Sequence, residues 1–272
     1  MAKAELVFIA TADGIITLSN PGTIGRWLKA GHSLQSHPIA ALWANPLDPT
    51  MLIASGPTTS WRSIDGGQQW DAINIPKMQQ FIASRTTPTR IFAHDGALAY
   101  ISHDNGISWH TLGNATQLSA GGDTLWYSNA TTSHLSIDGG LTWDSSPFSQ
   151  TIYLSNDGTQ RLHHTSAKEW IAALGIIPAP PVGWQANTLL SGTPFALIGV
   201  AQQQVWRYQN EWHHCEAAIN PRVIHPTTYH PDRIWIGDMG GTVWYSENRG
   251  NDWLTIRSGF PQINAIASAR LI

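Results

Sequence analysis

A short polar box recurs in the sequence, with Ser, Asp or Asn, Gly and Trp at fixed offsets. Its copies are SIDGGQQW at 63–70, SHDNGISW at 102–109, SIDGGLTW at 136–143 and SENRGNDW at 246–253. A Ser hydroxyl and a carboxylate two residues after it are the nucleophile and the base of a catalytic loop. The same oxygen atoms are also suitable ligands of an ion site. The residue types of the box therefore raise the question of chemistry.

The repetition of the box favours a structural role instead. A catalytic carboxylate is not normally needed several times, yet Asp65, Asp104 and Asp138 occupy the same position in three copies and Asn248 in the fourth. Such an Asp suits a hairpin, because its carboxylate caps turn amides while the Gly adopts positive φ. The Trp is expected to begin an outer strand and to pack between neighbouring units. The box residues interpreted as structural are Ser63, Asp65, Gly67, Trp70, Ser102, Asp104, Gly106, Trp109, Ser136, Asp138, Gly140, Trp143, Ser246, Asn248, Gly250 and Trp253.

Histidine and cysteine give little support to a metal centre. Adjacent His residues at 163–164 and 213–214 point to opposite faces if they lie in strands. His225 and His230 could converge around a turn, but no third ligand at metal-site spacing joins them. A lone Cys215 excludes an intramolecular disulfide and a cysteine-based metal cluster. The sequence therefore predicts no metal site and no cofactor.

Composition narrows the class of partner. Of 272 residues only 12% are charged, against about 25% in a typical soluble domain, and the net charge is −3. No global positive field recruits nucleic acid or an anionic membrane. No apolar run approaches the ~20 residues of a membrane helix, and the N-terminal apolar run is too short for a secretory signal. We therefore expect a soluble, cytoplasmic protein without nucleic-acid binding or membrane insertion.

Alignment of the boxes on their last residue reveals a repeat of about 39 residues. Each complete unit reads as four short β-rich runs bounded by Gly, Pro, Asn and Asp. Seven such units predict one all-β domain over 1–272, a seven-bladed β-propeller with four-stranded antiparallel blades, one of them short. The Trp residues predicted to end the blades are at 27, 70, 109, 143, 170, 212 and 253.

The two ends of the chain predict how the ring closes. The first unit has room for three strands only, whereas INAIASARLI at 263–272 is a spare strand. We expect this C-terminal strand to join the first blade, which removes an exposed sheet edge.

The S-x-D-x-G-x-x-W box resembles the Asp-box, or BNR repeat, of sialidases, sortilin-type receptors and the photosystem II assembly factor family. The chain looks most like the assembly-factor and sortilin-like branch, since it consists of one small propeller of seven units. That resemblance implies a non-catalytic scaffold that binds a protein or peptide, with the boxes at the blade periphery. The basic Arg patch of the assembly factors has no equivalent among the scattered Arg residues.

Glycoside hydrolysis is the enzyme alternative that the same resemblance raises. Sialidases of this repeat class carry an Arg-Ile-Pro motif, which is absent, and the five Glu residues lie mostly near outer strands or turns. Other glycosidases need two carboxylates facing a sugar. Asp123 and Asp238 are the Asp residues least explained by turns, but they form no obvious pair. The sequence therefore predicts no catalytic residue.

A lectin is the second alternative, and a glycan therefore remains among the expected ligands. It would present Trp platforms beside Asn, Asp or Gln in each blade. Trp61, Trp206 and Trp244 precede box-like turns on third strands, where packing is the first explanation for them.

Function is expected at the channel mouth, where the inner strands begin. The residues predicted to open these strands, and hence to bind a ligand, are His37, Gln80, Gln117, Gln150, Asn187, Arg222 and Asn264. They either line the mouth and bind ordered water or bind a polar ligand or peptide end, with Arg222 clamping a carboxylate. A second candidate surface is the Pro-rich segment 172–186 with Trp184, which either binds a partner or bridges a short blade.

Overall fold

The computed structural model describes residues 4–270 except 23–25, 84–86, 88, 147–150, 156, 165–169, 173–174 and 193. Within this part of the chain, 28 β-strands pair into four-stranded antiparallel sheets. No described helix has the length and apolar character that crossing a membrane requires.

The strands follow one another with short connections. In chain order the first are β1 Glu5–Thr11, β2 Gly14–Asn20, β3 Leu28–Ser33, β4 Ala41–Ala44, β5 Leu52–Ser55, β6 Ser60–Ser63, β7 Asp71–Ile73, β8 Gln80–Ala83, β9 Ile91–His94, β10 Leu98–Ser102, β11 His110–Asn114, β12 Gln117–Gly121, β13 Thr124–Ser128 and β14 Ser133–Ser136. The remainder are β15 Asp144–Ser146, β16 Thr151–Leu154, β17 Arg161–His164, β18 Trp170–Ala172, β19 Gly175–Ile176, β20 Gln185–Leu190, β21 Ala196–Ala201, β22 Gln204–Gln209, β23 Glu211–His214, β24 Pro221–Pro226, β25 Ile234–Asp238, β26 Val243–Ser246, β27 Leu254–Arg257 and β28 Ile263–Arg270.

Consecutive strands form the sheets, with one exception that closes the ring. The sheets are β4–β7, β8–β11, β12–β15, β16–β19, β20–β23 and β24–β27, together with the sheet of order β28-β1-β2-β3. In this last sheet β28 pairs with β1 from Glu5↔Arg270 to Thr11↔Ile263. The C-terminal strand thus joins the first unit, where the sequence predicts it.

The hydrophobic core lies between the sheets rather than inside any one of them. Alternate residues of an inner strand pack against different neighbours, as the period of two requires. In β4, Leu42 packs with Phe8 of the sheet before it, whereas Trp43 packs with Phe81 of the sheet after it. Because both faces of an inner strand are covered, β4 is buried at every residue, while the outermost β7 is largely exposed.

The prediction of seven equivalent Trp-ended blades requires a correction. Six sheets follow the predicted plan, in which a Trp lies in or directly before the outermost strand. These residues are Trp27, Trp70, Trp109, Trp143, Trp212 and Trp253.

The small sheet β16–β19 departs from that plan. Trp170 begins its third strand, β18, and its outermost strand β19 contains only Gly175 and Ile176. The sequence before Trp170, HHTSAKEW, lacks the S-x-D-x-G pattern of the boxes. The fold class as predicted is therefore wrong: the chain forms six blades of the expected plan and one irregular four-stranded sheet.

Each box is a closed hydrogen-bonded turn. Ser63 Oγ donates to Asp65 Oδ1 at 2.8 Å and accepts from the Gly67 amide at 2.9 Å. Asp65 Oδ1 also accepts from the amides of Gln68 and Gln69, each at 2.9 Å. The indole N–H of Trp70 donates to the carbonyl of Gly67 at 3.1 Å. The carboxylate therefore satisfies turn amides and performs no chemistry in this arrangement.

The other copies repeat this network with one variation. At 136–143, hydrogen bonds from the Thr142 hydroxyl and amide and from Ser136 hold the pKa of Asp138 well below its usual range. In the last copy Asn248 Oδ1 accepts from the Asp252 amide at 2.9 Å. The indole N–H of Trp253 has no hydrogen-bond partner among the described residues. The Asn copy thus keeps the turn but loses the bond that the Trp donates in the Asp copies.

The boxes also attach each blade to the one before it. Arg62 Nε donates across the seam to the carbonyl of Asn105 at 3.2 Å, and Arg207 Nε donates in the same way to that of Arg249 at 3.1 Å. Gly106 has φ of +77°, and a Cβ there would lie 2.2 Å from Cδ1 of Ile53 in the preceding sheet. Glycine at this box position therefore allows both the turn and the close approach of the neighbouring blade.

A hydrogen bond between inner strands joins the last sheet to the closing one. His225 Nε2 on β24 lies 3.0 Å from Ser268 Oγ on β28. Burial lowers the pKa of His225 to about 4, so its ring is neutral near pH 7. Protonation of this imidazole would leave a charge inside the channel wall.

The box network predicts a specific loss of stability for Ser102→Ala. The substitution removes the acceptor of the buried Gly106 amide, 2.8 Å away, and we expect the free energy of unfolding to fall by about 1–3 kcal/mol. Chemical denaturation at pH 7 measures this change. Ser108→Ala, which removes an exposed donor to the same Asp104, is the matched control and should cost less than about 0.5 kcal/mol. Equal losses for the two variants would contradict the structural role of the box serine.

His225 predicts a dependence of stability on pH. Its folded pKa lies below the unfolded value near 6.5, so the unfolded chain binds the proton first as the pH falls. Stability is therefore complete above about pH 6.5 and decreases towards pH 4, by about 2–3 kcal/mol from this residue.

Denaturation midpoints measured from pH 7.5 to 4.5 test this expectation. His225→Gln should flatten the pH profile, because an amide does not titrate, whereas His214→Gln at an exposed position should leave it unchanged. A His225→Gln profile parallel to that of the parent protein would refute the assignment.

Candidate functional site

The inner strands enclose a cavity of about 440 Å³ on the axis of the ring. Each of the strands β4, β8, β12, β16, β20, β24 and β28 contributes to its wall. Even the irregular sheet takes part, through Ile152, Tyr153 and Leu154 of β16. The cavity is therefore a direct result of ring closure and is the natural place to look for a ligand.

The described lining of the cavity carries no formal charge at its side chains apart from what its imidazoles can take up. Its lining residues with aliphatic side chains belong at the same time to the cores between the sheets, and they include Leu42, Leu118, Ile152, Leu189, Ile224 and Ile266. Among the described lining residues there is no Asp, Glu, Lys or Arg. Polar side chains of the lining occur at the strand ends, as for Gln80 and Gln117, and also within a strand, as for Ser119.

Three amide side chains line one end of the cavity, where their strands begin. Gln80 and Gln117 are the first residues of β8 and β12, and Asn187 lies near the start of β20. All three are exposed and belong to the cavity lining. The ring thus brings together side chains that are more than thirty residues apart in sequence, and we name these three residues the amide arc.

His94 orients one member of the amide arc. The Gly96 amide donates to His94 Nδ1 at 3.2 Å, so the proton of the neutral ring is on Nε2, which donates to Gln80 Oε1 at 3.1 Å. Burial lowers the pKa of His94, which favours this neutral form. With its oxygen engaged, Gln80 retains its NH₂ group as the donor for a ligand.

Three predicted site residues do not line the cavity. His37 has its ring edge-on to Trp61, with centroids 5.3 Å apart. Arg222 is exposed, and its Nη1 lies 3.7 Å from Met239 Sδ. Asn264 Nδ2 donates to the carbonyl of Ile39 at 2.9 Å. Gln150, the remaining predicted position, lies outside the described residues.

Three of the predicted strand-start residues lie at bulges, which no residue type in the sequence marks. The pairing register shifts between Ala186 and Thr188 in β20, and between Pro221 and Val223 in β24. A third shift, in the pairing of β28 with β1, lies beside Asn264. An extra unpaired residue redirects the side chain at each of these points, and its effect depends on the local twist. Asn187 turns towards the cavity mouth, while Arg222 and Asn264 do not.

The cavity also contains polar residues that sequence reasoning missed. His94 is one of them, and the only signal for it is its position opposite Gln80 in the β8–β9 pairing. Ser268, His225 and Thr228 line the cavity towards the other end. No sequence motif marks these three residues: His225 lies in β24, Thr228 follows that strand, and Ser268 lies in β28.

The described residues contain no cluster of three or more His, Cys, Asp or Glu side chains that could hold a metal ion. Asp238, a candidate carboxylate in the sequence, accepts hydrogen bonds from the amides of Gly240 and Thr242 and from Trp244 Nε1. This arrangement stabilises a turn. No described carboxylate lines the cavity, so the pair that glycoside hydrolysis needs is not assembled there by the described residues.

The Pro-rich segment packs against a neighbouring blade. Trp212 Nε1 donates to the carbonyl of Pro178 at 3.0 Å, and the ring of Trp184 stands edge-on to that of Trp212 with centroids 4.7 Å apart. Trp184 is half-buried rather than exposed, although Val182 in the same segment is 85% exposed. These contacts are those of a bridge between the small sheet and the following blade.

No protein-family model matches the chain, and no curated protein matches it. Solved structures similar to it include YCF48 from Cyanidioschyzon merolae, with 11% identity and a TM-score of 0.51 over 81% of this chain and 86% of that one. A chain of the nidogen/laminin complex has 13% identity and a TM-score of 0.56 over 97% and 98%. A protein from Lactobacillus plantarum has 9% identity and a TM-score of 0.60 over 98% and 99%. At these identities the similarity shows the fold alone: the predicted β-propeller is confirmed, and membership of the Asp-box repeat family stays a prediction.

Proposed function

We propose that the protein is a non-catalytic scaffold that binds an extended peptide segment of a protein partner at the amide arc. The observation that carries this proposal is the position of Gln80, Gln117 and Asn187 on the rim of the axial cavity. An amide side chain offers both a donor and an acceptor, which complement the N–H and C=O groups of a peptide backbone.

The state of these side chains supports the proposal. Gln80 is held by His94 with its NH₂ group left to donate, and the side chain of Asn187 forms no hydrogen bond with any other described residue. Both are exposed, so a peptide would reach them without displacing any part of the wall. A segment that bridges blades on opposite sides of the mouth would gain several hydrogen bonds at once.

A lectin fits the arrangement less well. Sugar-binding sites of the expected kind need an aromatic ring exposed beside the amides, yet no described Trp side chain is exposed. The two Trp residues of the cavity wall, Trp43 and Trp126, are 5% and 1% exposed. Neither provides a flat platform at the mouth.

The comparisons are compatible with a protein partner without identifying one. The similar chain of the nidogen/laminin complex comes from an assembly of proteins. Because that similarity is one of fold, the proposal for this chain depends on the amide arc alone.

Selection of a random-peptide display library on the folded protein tests the proposal. We expect enriched peptides whose affinity falls about fivefold with Gln80→Ala or with Asn187→Ala, since each lost hydrogen bond is worth about 1 kcal/mol. The double variant should lose more than tenfold if the two side chains contact different parts of one peptide.

Gln69→Ala is the matched control, since Gln69 is an exposed amide in the box turn at the far end of its blade. It should leave peptide affinity unchanged. Failure to enrich any peptide, or enriched peptides that bind the Gln80 and Asn187 variants as well as the parent, would show that the amide arc is not the binding surface.

A further inference from the structure

The three boxes that contain Asp lie at one end of the ring. We name their turns, at 63–70, 102–109 and 136–143, the box face. Each turn follows the third strand of its sheet, β6, β10 or β14, and in an antiparallel sheet the third strand runs in the same direction as the inner strand. The amide arc lies where the inner strands begin. The box face is therefore at the opposite end of the ring from the amide arc.

Every turn of the box face exposes a large aliphatic side chain. Ile64, Ile107, Ile137 and Leu141 are each between 62% and 69% exposed. The hydrogen bonds of the turns involve the backbone amides of Ile107 and Leu141 but none of the four side chains. The formation of the turn therefore does not explain why these residues are aliphatic.

The box that contains Asn, at 246–253, provides a comparison within the same chain. At the second and sixth positions, where the other boxes have their aliphatic residues, it has Glu247 and Asn251. Exposed aliphatic residues are thus not a general property of the box turn. They belong to the three boxes in the consecutive sheets β4–β7, β8–β11 and β12–β15.

Hydrogen bonds between neighbouring blades hold the three turns side by side. Arg62, directly before the first turn, donates through Nε to the carbonyl of Asn105 in the second turn at 3.2 Å. The amide of Asn105 donates to the carbonyl of Thr89 at 3.0 Å, and the next residue, Arg90, donates through Nη1 to the carbonyl of Gly139 in the third turn at 3.1 Å. The exposed aliphatic side chains therefore form a row along three blades, and apolar surface rimmed by polar groups is typical of interaction sites.

The box face also carries negative charge. None of its three boxes contains Lys or Arg, and each contains one Asp. Hydrogen bonds, first that from the Gln69 amide, hold the pKa of Asp65 below its usual range, so this carboxylate is ionised at neutral pH. Asp71 and Asp144, which follow the first and third boxes, are exposed and form no ion pair with another described residue. A partner would therefore meet aliphatic side chains and carboxylates together.

This combination favours one class of partner. Face-to-face contact between two copies of the chain would bring like charges together, and the surface of an anionic membrane would repel the carboxylates. A protein segment with Lys or Arg beside apolar residues complements both the charge and the aliphatic row.

We propose that the box face docks a segment of a partner protein in which Lys or Arg residues flank apolar side chains. This surface goes beyond the peptide-binding function, because it lies at the other end of the ring and uses none of the residues of the amide arc. The two proposals stand or fall separately.

Three labelled peptides test the chemistry of the partner. LKKLLKLLKKLLKL supplies both Lys and an apolar residue, SKKSSKSSKKSSKS keeps only the charge, and LEELLELLEELLEL reverses it. Fluorescence anisotropy with the full chain measures their affinities. We expect saturable binding of the Leu-Lys peptide at one site per chain and at least tenfold weaker binding of the other two. Equal affinities for the three peptides, or no saturable binding of the first, would overturn the proposal.

Substitutions in the aliphatic row locate the site. Ile107→Ser and Ile137→Ser should each lower the affinity for the Leu-Lys peptide about fivefold, and the double variant more than tenfold, because apolar contact is lost. Both residues are exposed, so the denaturation midpoint should stay close to that of the parent. Val182→Ser is the matched control, since Val182 is an exposed aliphatic residue outside the box face. Equal effects of Ile107→Ser and Val182→Ser would place the peptide elsewhere and refute the proposal.

Substitutions of the exposed carboxylates test the charge separately. The double variant Asp71→Asn with Asp144→Asn should lower the affinity for the Leu-Lys peptide about fivefold at low salt and less at high salt, since salt screens exposed charges. Glu211→Gln, at an exposed carboxylate on β23, is the control and should have no effect. A loss that matches that of Glu211→Gln, or that is equal at both salt concentrations, would remove the assigned role of the carboxylates.

The two other occupants have their own readouts. We expect no face-to-face dimer in sedimentation experiments and no flotation with vesicles of phosphatidylcholine and phosphatidylserine. A dimer that Ile107→Ser dissociates, or vesicle binding that Ile107→Ser abolishes, would assign the box face to that occupant and overturn the proposal. Gln80→Ala and Asn187→Ala should leave binding of the Leu-Lys peptide intact, so failure at the amide arc does not affect the result for the box face.

Discussion

The packing of sheet against sheet is the constraint on which the rest of this structure depends. Inner and second strands such as β4 and β25 are buried at every residue. A single sheet would therefore expose apolar side chains on both of its faces if it stood alone. Every sheet needs a neighbour on both sides, and a linear stack would leave two apolar faces uncovered. Pairing of β28 with β1 solves this by making the first sheet from both ends of the chain.

The seams between sheets differ in how they are built. Six of them contain a half-buried Trp from the start of an outer strand, such as Trp109 against the cluster that includes Trp43 and Phe81. The seam between β12–β15 and β16–β19 has a smaller described core, which consists of Trp126, Ile152 and Leu154 with Leu135 beside it. A hydrogen bond from the Leu154 amide to Ser119 Oγ supplements it. Trp126, from the second strand β13, is the largest side chain of this described core.

Local sequence signals predict the features of this fold that local chemistry determines. A Ser, an Asp and a Gly within five residues form the box turn through their own hydrogen bonds, so the structural interpretation of Asp65 and Asp138 follows from the sequence alone. The bulges beside Asn187, Arg222 and Asn264 arise from pairing between strands, and no residue type announces them. For that reason the strand starts could be found from the sequence, but the side chains that reach the cavity could not.

The position of the charges connects the architecture with the ligand chemistry. Asp residues are used in box turns at the blade edges, and Glu5 forms its ion pair with Arg233 at the junction of the last and first sheets. The axis is left to inner strands, whose side chains must fit between two neighbouring sheets and are therefore mainly apolar. A ring built in this way has a neutral centre by construction. At the ends of the inner strands packing no longer restricts residue type, and polar side chains such as those of the amide arc are found there.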